Sequence, residues 1–168
     1  MFYCSAVPGI DEESARKVIR AVCAAGYDIV SGGTVKGTMD IVCRTAKECG
    51  ARCIGVIPRF MKGLENPLCD ELIWTDTMAE RKELMHSGVA LAIALPGGIG
   101  TLDEFADTFC LVKLGILETR MIAWNEDGFY EPLKALLNHY VQKGTMPAES
   151  LGKVFFPESL EELERIIK

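Results

Sequence analysis

The run Pro96-Gly97-Gly98-Ile99-Gly100-Thr101-Leu102-Asp103-Glu104 concentrates residue types that do chemistry. Three glycines let a backbone approach a ligand and point N–H groups at it. Thr101 would then open a helix whose N-terminus favours an anion, and a phosphate suits that chemistry. The same letters spell a T-x-x-E capping box, in which Thr101 and Glu104 satisfy the first helical N–H groups and Glu104 has no chemical role. The pattern by itself leaves both assignments of Glu104 open.

Two further segments carry candidates. Ser31-Gly32-Gly33-Thr34-Val35-Lys36-Gly37 is a second glycine turn. It lacks the G-x-G-x-x-G spacing of a dinucleotide loop. Thr38 and Met39 stand where a P-loop needs Lys and Ser/Thr, which disfavours an NTPase. Ligand approach and simple turn formation both account for Gly32 and Gly33. In Met78-Ala79-Glu80-Arg81-Lys82-Glu83-Leu84-Met85, Arg81 shares a helical face with Met78 and Met85. The segment reads either as a solvated helix or as methionines flooring an adenine-sized pocket around a cation. His86 and His139 have no nucleophile motif around them and read as structural or surface residues.

These segments need strands and helices to place them. Apolar spacing predicts strands near 2–5, 27–31, 52–57, 72–74, 89–95, 121–124 and 153–156. Helices are expected between them, with residues 59–71 as loop. Asp11 is expected to cap the first helix, with Ala15, Val18, Ile19, Val22 and Cys23 as its buried stripe. Leu102, Phe105, Phe109 and Val112 are expected inward on the helix after Gly100, and Leu133, Leu136, Leu137 and Tyr140 on a helix over 130–142. Alternation of strand and helix along most of the chain implies βαβ crossovers. The fold class is therefore α/β: one Rossmann-like domain over residues 1–168, with a mostly parallel sheet flanked by helices on both faces. Ligands of such sheets sit beyond the C-terminal strand ends at a topological switch point. Residues 5–9, 31–37 and 96–101 all follow strands.

The 168 residues are 49% hydrophobic and 25% charged, with a formal net charge of −6. That composition suits a globular domain with its own core. It argues against nucleic-acid or anionic-membrane partners, which need a basic face. The longest apolar run, 89–95, is far short of a membrane span, and no secretory signal is visible at the N-terminus. The seven cysteines are odd in number, and several fall at apolar positions, so reduced thiols and a cytoplasmic setting are expected. Cys49 and Cys53 lack C-x-x-C spacing and a second pair, so no metal site is expected.

Together the three segments resemble the Lonely Guy (LOG) family of cytokinin riboside 5′-monophosphate phosphoribohydrolases. The shared patterns are P-G-G-x-G-T-x-x-E at Pro96–Glu104 and M-x-x-R-K at Met78–Lys82. The likeness extends to Gly32-Gly33, to Ile54-Gly55-Val56-Ile57-Pro58 and to Leu114-Gly115-Ile116. The chain departs from the family at Ala79, where His is usual, at Cys4-Ser5-Ala6-Val7, at Ser31 and at Thr38 and Asp40. The resemblance implies hydrolysis of the N-glycosidic bond of a nucleoside 5′-monophosphate, AMP or a cytokinin nucleotide. Glu104 and Arg81 would be catalytic. Gly97, Gly98, Ile99, Gly100 and Thr101 would hold the phosphate, and Ser5, Gly32, Gly33, Glu65, Met78 and Lys82 would contribute to substrate binding. It implies no cofactor and a homodimer. Molybdenum-cofactor carrier proteins look similar in fold and glycine loop, so a non-catalytic nucleotide or pterin binder is the alternative. An amino-acid decarboxylase is disfavoured, because no lysine context for pyridoxal phosphate is visible.

Overall fold

A computed structural model describes residues 1–9 and 11–168. Its strands are β1 (Phe2–Tyr3), β2 (Ile29–Ser31), β3 (Cys53–Pro58), β4 (Glu71–Thr75), β5 (Leu91–Ala94), β6 (Arg120–Ala123) and β7 (Val154–Phe155). Its helices are α1 (Glu12–Ala24), α2 (Thr38–Glu48), α3 (Met78–His86), α4 (Ile99–Lys113), α5 (Glu131–Gln142) and α6 (Leu160–Ile167). The expected loop over 59–71 carries a 3₁₀ turn at Arg59–Met61 and an antiparallel bridge between Thr34 and Glu65.

Strand pairing is parallel throughout the ladders, which run β1-β5-β6-β7 and β2-β3-β4. β2 lies beside β1, so the chain winds outward from β1 in one direction through β4 and in the other from β5 to β7. The direction of winding reverses at β1 and β5. Crossover connections diverge there and leave a crevice above the strand ends.

Alternation along the strands divides the core into two layers. Phe2, Leu91, Ile93, Leu95, Ile122 and Trp124 face the layer of α1, α2 and α6. Tyr3, Ala92, Ala94, Met121 and Ala123 face the opposite layer, with Met85 of α3, Phe105 and Phe109 of α4 and Leu137 of α5. A two-residue period on buried parallel strands gives this result directly.

Several local expectations need correction. Asp11 sits at the N-cap of α1 in the left-handed region (φ 43°), and its side chain makes no capping bond. Leu102, Leu136 and Tyr140 are exposed rather than inward, because only one narrow stripe of α4 and of α5 meets the sheet. α4 begins at Ile99 with Gly98 as N-cap, so Thr101 lies within the helix rather than opening it. Helix capping by T-x-x-E does occur, but on α3. There Thr77 Oγ1 accepts the Glu80 N–H at 3.1 Å, and the Glu80 carboxylate accepts the Asp76 N–H at 2.7 Å.

Gly33 (φ +68°) and Gly55 are pressed together. A Cβ on Gly55 would lie 2.7 Å from Gly33 Cα and 2.9 Å from Cys69 Sγ. Gly55→Ala should therefore cost about 1–3 kcal/mol of stability through overpacking. Gly152→Ala, where a Cβ meets open space, should stay within about 0.5 kcal/mol of the parent. Urea denaturation of the two variants is the check.

Candidate active site

The crevice over the switch point encloses about 440 Å³. Every wall comes from a segment following a strand: residues 4–7 after β1, Thr34 and Met39 after β2, Met61 after β3, and Met78 and Arg81 after β4. Gly97, Gly98, Gly100, Thr101, Asp103 and Glu104 follow β5, and Phe129 follows β6. The sequence-predicted residues brought together here are Ser5, Met78, Arg81, Gly97, Gly98, Gly100, Thr101 and Glu104.

At its centre is a buried ion pair. Arg81 Nη1 donates to Glu104 Oε1 at 2.6 Å, and the two side chains are 8% and 12% exposed. Arg81 Nε donates to the Val56 carbonyl at 2.9 Å, which anchors the guanidinium to the end of β3. Burial raises the Glu104 carboxyl above its ordinary range, and the Arg81 charge only partly offsets this. Glu104 is thus held in one orientation at the crevice wall by Arg81, and the capping-box assignment of Glu104 is overturned. Arg81 is itself buried, so it does not sit on an open helix face.

The glycines divide into two kinds. Gly98 and Gly100 have open space around them, at the N-terminus of α4 and on the crevice wall. Gly97 instead makes room for the Thr101 side chain, whose Cβ would lie 2.8 Å from a Cβ added at 97. Gly32 makes room for Arg81 Nη2 and for Met39, whose sulfur would lie 2.6 Å from an added Cβ. Gly32 and Gly33 lie behind the wall. They serve close packing, against Arg81 and Gly55 respectively.

Other candidates lie elsewhere. Lys82 turns to α4, where its ammonium meets Asp103 at 3.2 Å and Asp107 at 3.3 Å, with His86 3.6 Å from Asp107. Glu65 folds back on its own loop and accepts the Gly63 N–H at 2.5 Å. Ile99 is 82% exposed, and Met85 is buried in the core below the site. Sequence reading missed Met39, Met61 and Phe129. Met39 lies in the first turn of α2, and Met61 and Phe129 lie on connections with no distinctive motif; only chain closure brings the three to the crevice. Cys4 also lines the wall. Burial, then the Glu104 charge, push its thiol up, so it is no activated nucleophile.

The site defines a class: a parallel α/β protein with a ligand crevice at the switch point, a glycine-rich helix N-terminus and a buried Arg–Glu pair. More particularly, the chain belongs to the LOG family, whose family model is described as "Possible lysine decarboxylase" and matches residues 39–167. It is 33% identical to the cytokinin riboside 5′-monophosphate phosphoribohydrolase of Mycobacterium tuberculosis, over 97% of this chain and 89% of that one. It is 28% identical to the enzyme of that name, LOG5, from Arabidopsis thaliana, over 98% of this chain and 75% of that one. Among solved structures, the molybdenum cofactor binding protein of Rippkaea orientalis shares the fold. The TM-score is 0.74 at 22% identity, over 99% of this chain and 91% of that one.

Removing Arg81 leaves Glu104 buried without its partner. Arg81→Ala should lower stability by about 3–5 kcal/mol at neutral pH, as for other broken buried pairs. Lys82→Ala removes a more exposed contact and should cost at most about 1 kcal/mol. Denaturant titration of both variants, with circular dichroism of the native state, makes the comparison.

Proposed function

We propose that this protein hydrolyses the N-glycosidic bond of a nucleoside 5′-monophosphate with adenine or an N6-modified adenine as its base. Water is added, and the free base and ribose 5-phosphate leave. The observation that carries this reading is the buried Glu104 carboxylate, oriented by Arg81 and one helical turn beyond the open N-terminus of α4. A 5′-phosphate on the N–H groups of Gly98, Gly100 and Thr101 would place the sugar beside Glu104. Cleavage of such a bond builds positive charge on C1′. A fixed carboxylate there stabilises that charge and orients the attacking water. Arg81 acts in this scheme chiefly as a positioning residue, since its Nε and Nη1 hold the Val56 carbonyl and the Glu104 carboxylate. Met39, Met61, Met78 and Phe129 give the base apolar walls.

The names of the curated relatives support the same reaction. A carrier role, as in the structural neighbours of the same fold, uses the crevice but leaves the oriented carboxylate without a task. For a decarboxylase, the amine that a pyridoxal Schiff base needs is missing from the lining, and Lys82 is engaged by two aspartates. The reading includes a cytoplasmic homodimer. Ile99 and Leu102 on α4, and Leu114 and Ile116 beyond it, offer apolar surface to a second copy. No helix among the described residues is long and apolar enough to cross a membrane.

Incubation with AMP and with isopentenyladenosine monophosphate, followed by chromatography for free base, tests the reaction. Base should be released from at least one of them, and no release from either sinks the hydrolase reading. Glu104→Gln should keep the fold and lose about a hundredfold or more in kcat. Adenosine should be a far poorer substrate than AMP in kcat/KM, since it leaves the α4 N-terminus unused.

The same reading fixes a pH dependence. Glu104 acts ionised, and burial raises its pKa. Activity should fall as pH drops through that raised value, at a higher pH than an ordinary exposed carboxylate would give. A kcat/KM profile whose acid limb lies in the ordinary carboxylate range would remove Glu104 from the role.

A further inference from the structure

Cys43 of α2, Cys53 at the start of β3 and Cys69 just before β4 meet behind the crevice, on the α2 side of the sheet. Their three sulfurs all lie within 4.8 Å of one another, and Cys43 Sγ is 3.7 Å from Cys69 Sγ. Cys43 and Cys53 are fully buried, while Cys69 is half-buried and gives a route from the surface. Gly55 keeps the space clear, since a Cβ there would meet Cys69 Sγ at 2.9 Å. Neither the Arg81–Glu104 pair nor the phosphate-loop reading uses these thiols.

We propose that Cys43, Cys53 and Cys69 form a three-sulfur site for a soft monovalent d¹⁰ metal ion, Cu(I) in class. A metal–sulfur bond of about 2.3 Å puts three sulfurs roughly 4 Å apart in a trigonal plane, close to the spacing already present. Thiolates select soft ions. A tetrahedral zinc site needs a fourth donor, and the neighbours do not supply a good one. The Ser31 hydroxyl, 3.4 Å from Cys43 Sγ, is a poor ligand. The Asp70 carboxylate is engaged by Lys47 at 2.5 Å and by the Cys53 N–H at 2.8 Å. A disulfide between Cys43 and Cys69 would use two sulfurs and strand the third. Each thiol that becomes a thiolate ligand releases one proton to solvent. An occupied site would bolt α2 and β3 to the loop that carries Met61 to the crevice wall.

The test is titration of the reduced, oxygen-free protein with Cu(I) held in a chromogenic chelator. The 168-residue chain should withdraw one equivalent. Cys43→Ser and Cys69→Ser should each weaken uptake at least about tenfold, while Cys110→Ser and Cys49→Ser leave it unchanged. X-ray absorption on the loaded wild-type protein should report three sulfur neighbours, which keeps the assignment testable should a serine variant fail to fold. No uptake, uptake abolished by Cys49→Ser, or two sulfur neighbours would each overturn the proposal. So would a single bound Zn(II) that Cu(I) does not displace.

Discussion

The buried contact between Arg81 and Glu104 is the constraint around which the site is built. A carboxylate this far from water is costly to ionise, and it keeps its charge only beside a fixed cation. Fixing that cation takes four parts of the chain. α3 supplies Arg81, α4 supplies Glu104, the end of β3 supplies the Val56 carbonyl, and Gly32 leaves the space in which the guanidinium lies. The crevice is therefore a consequence of how the two windings of the sheet meet, since α3 closes one and α4 opens the other.

Empty space is as much a component of this arrangement as any side chain. Gly32, Gly33, Gly55 and Gly97 each yield volume to a named neighbour: Arg81, the paired glycine backbone, Cys69 and Thr101. Gly98 and Gly100 leave open room on the crevice wall, and they lie at a helix N-terminus where anions are favoured. Glycine-rich runs thus mix two functions that look identical in sequence, ligand approach and tight internal packing.

The T-x-x-E motif makes the same point for polar residues. At Thr77 and Glu80 it caps α3, because the chain enters that helix in an extended conformation with Thr77 exposed and Glu80 only partly buried. At Thr101 and Glu104 the helix has already started at Ile99, Thr101 is buried, and the carboxylate is drawn to Arg81. Local capping is worth about 1 kcal/mol, whereas leaving a buried arginine unpaired costs several times that, so the long-range partner wins.

The sequence by itself determined the alternation of strand and helix, the parallel sheet with two covered faces, and the segments after strands where a ligand would sit. Periodicity of apolar residues is a local property, and so is a glycine run after a strand. It also marked Arg81 and Glu104 as residues to watch, by type and by family resemblance. Only the tertiary structure decided that the two touch, that Gly32 packs against Arg81, that Lys82 turns to Asp103 and Asp107, and that Met39, Met61 and Phe129 complete the crevice. It also gathered Cys43, Cys53 and Cys69, whose spacing in the chain gives no ligand pattern. Each of these is a contact between residues tens of positions apart, or a choice among competing partners. Spacing cannot state such a choice, because it depends on which helix faces meet once the sheet is wound.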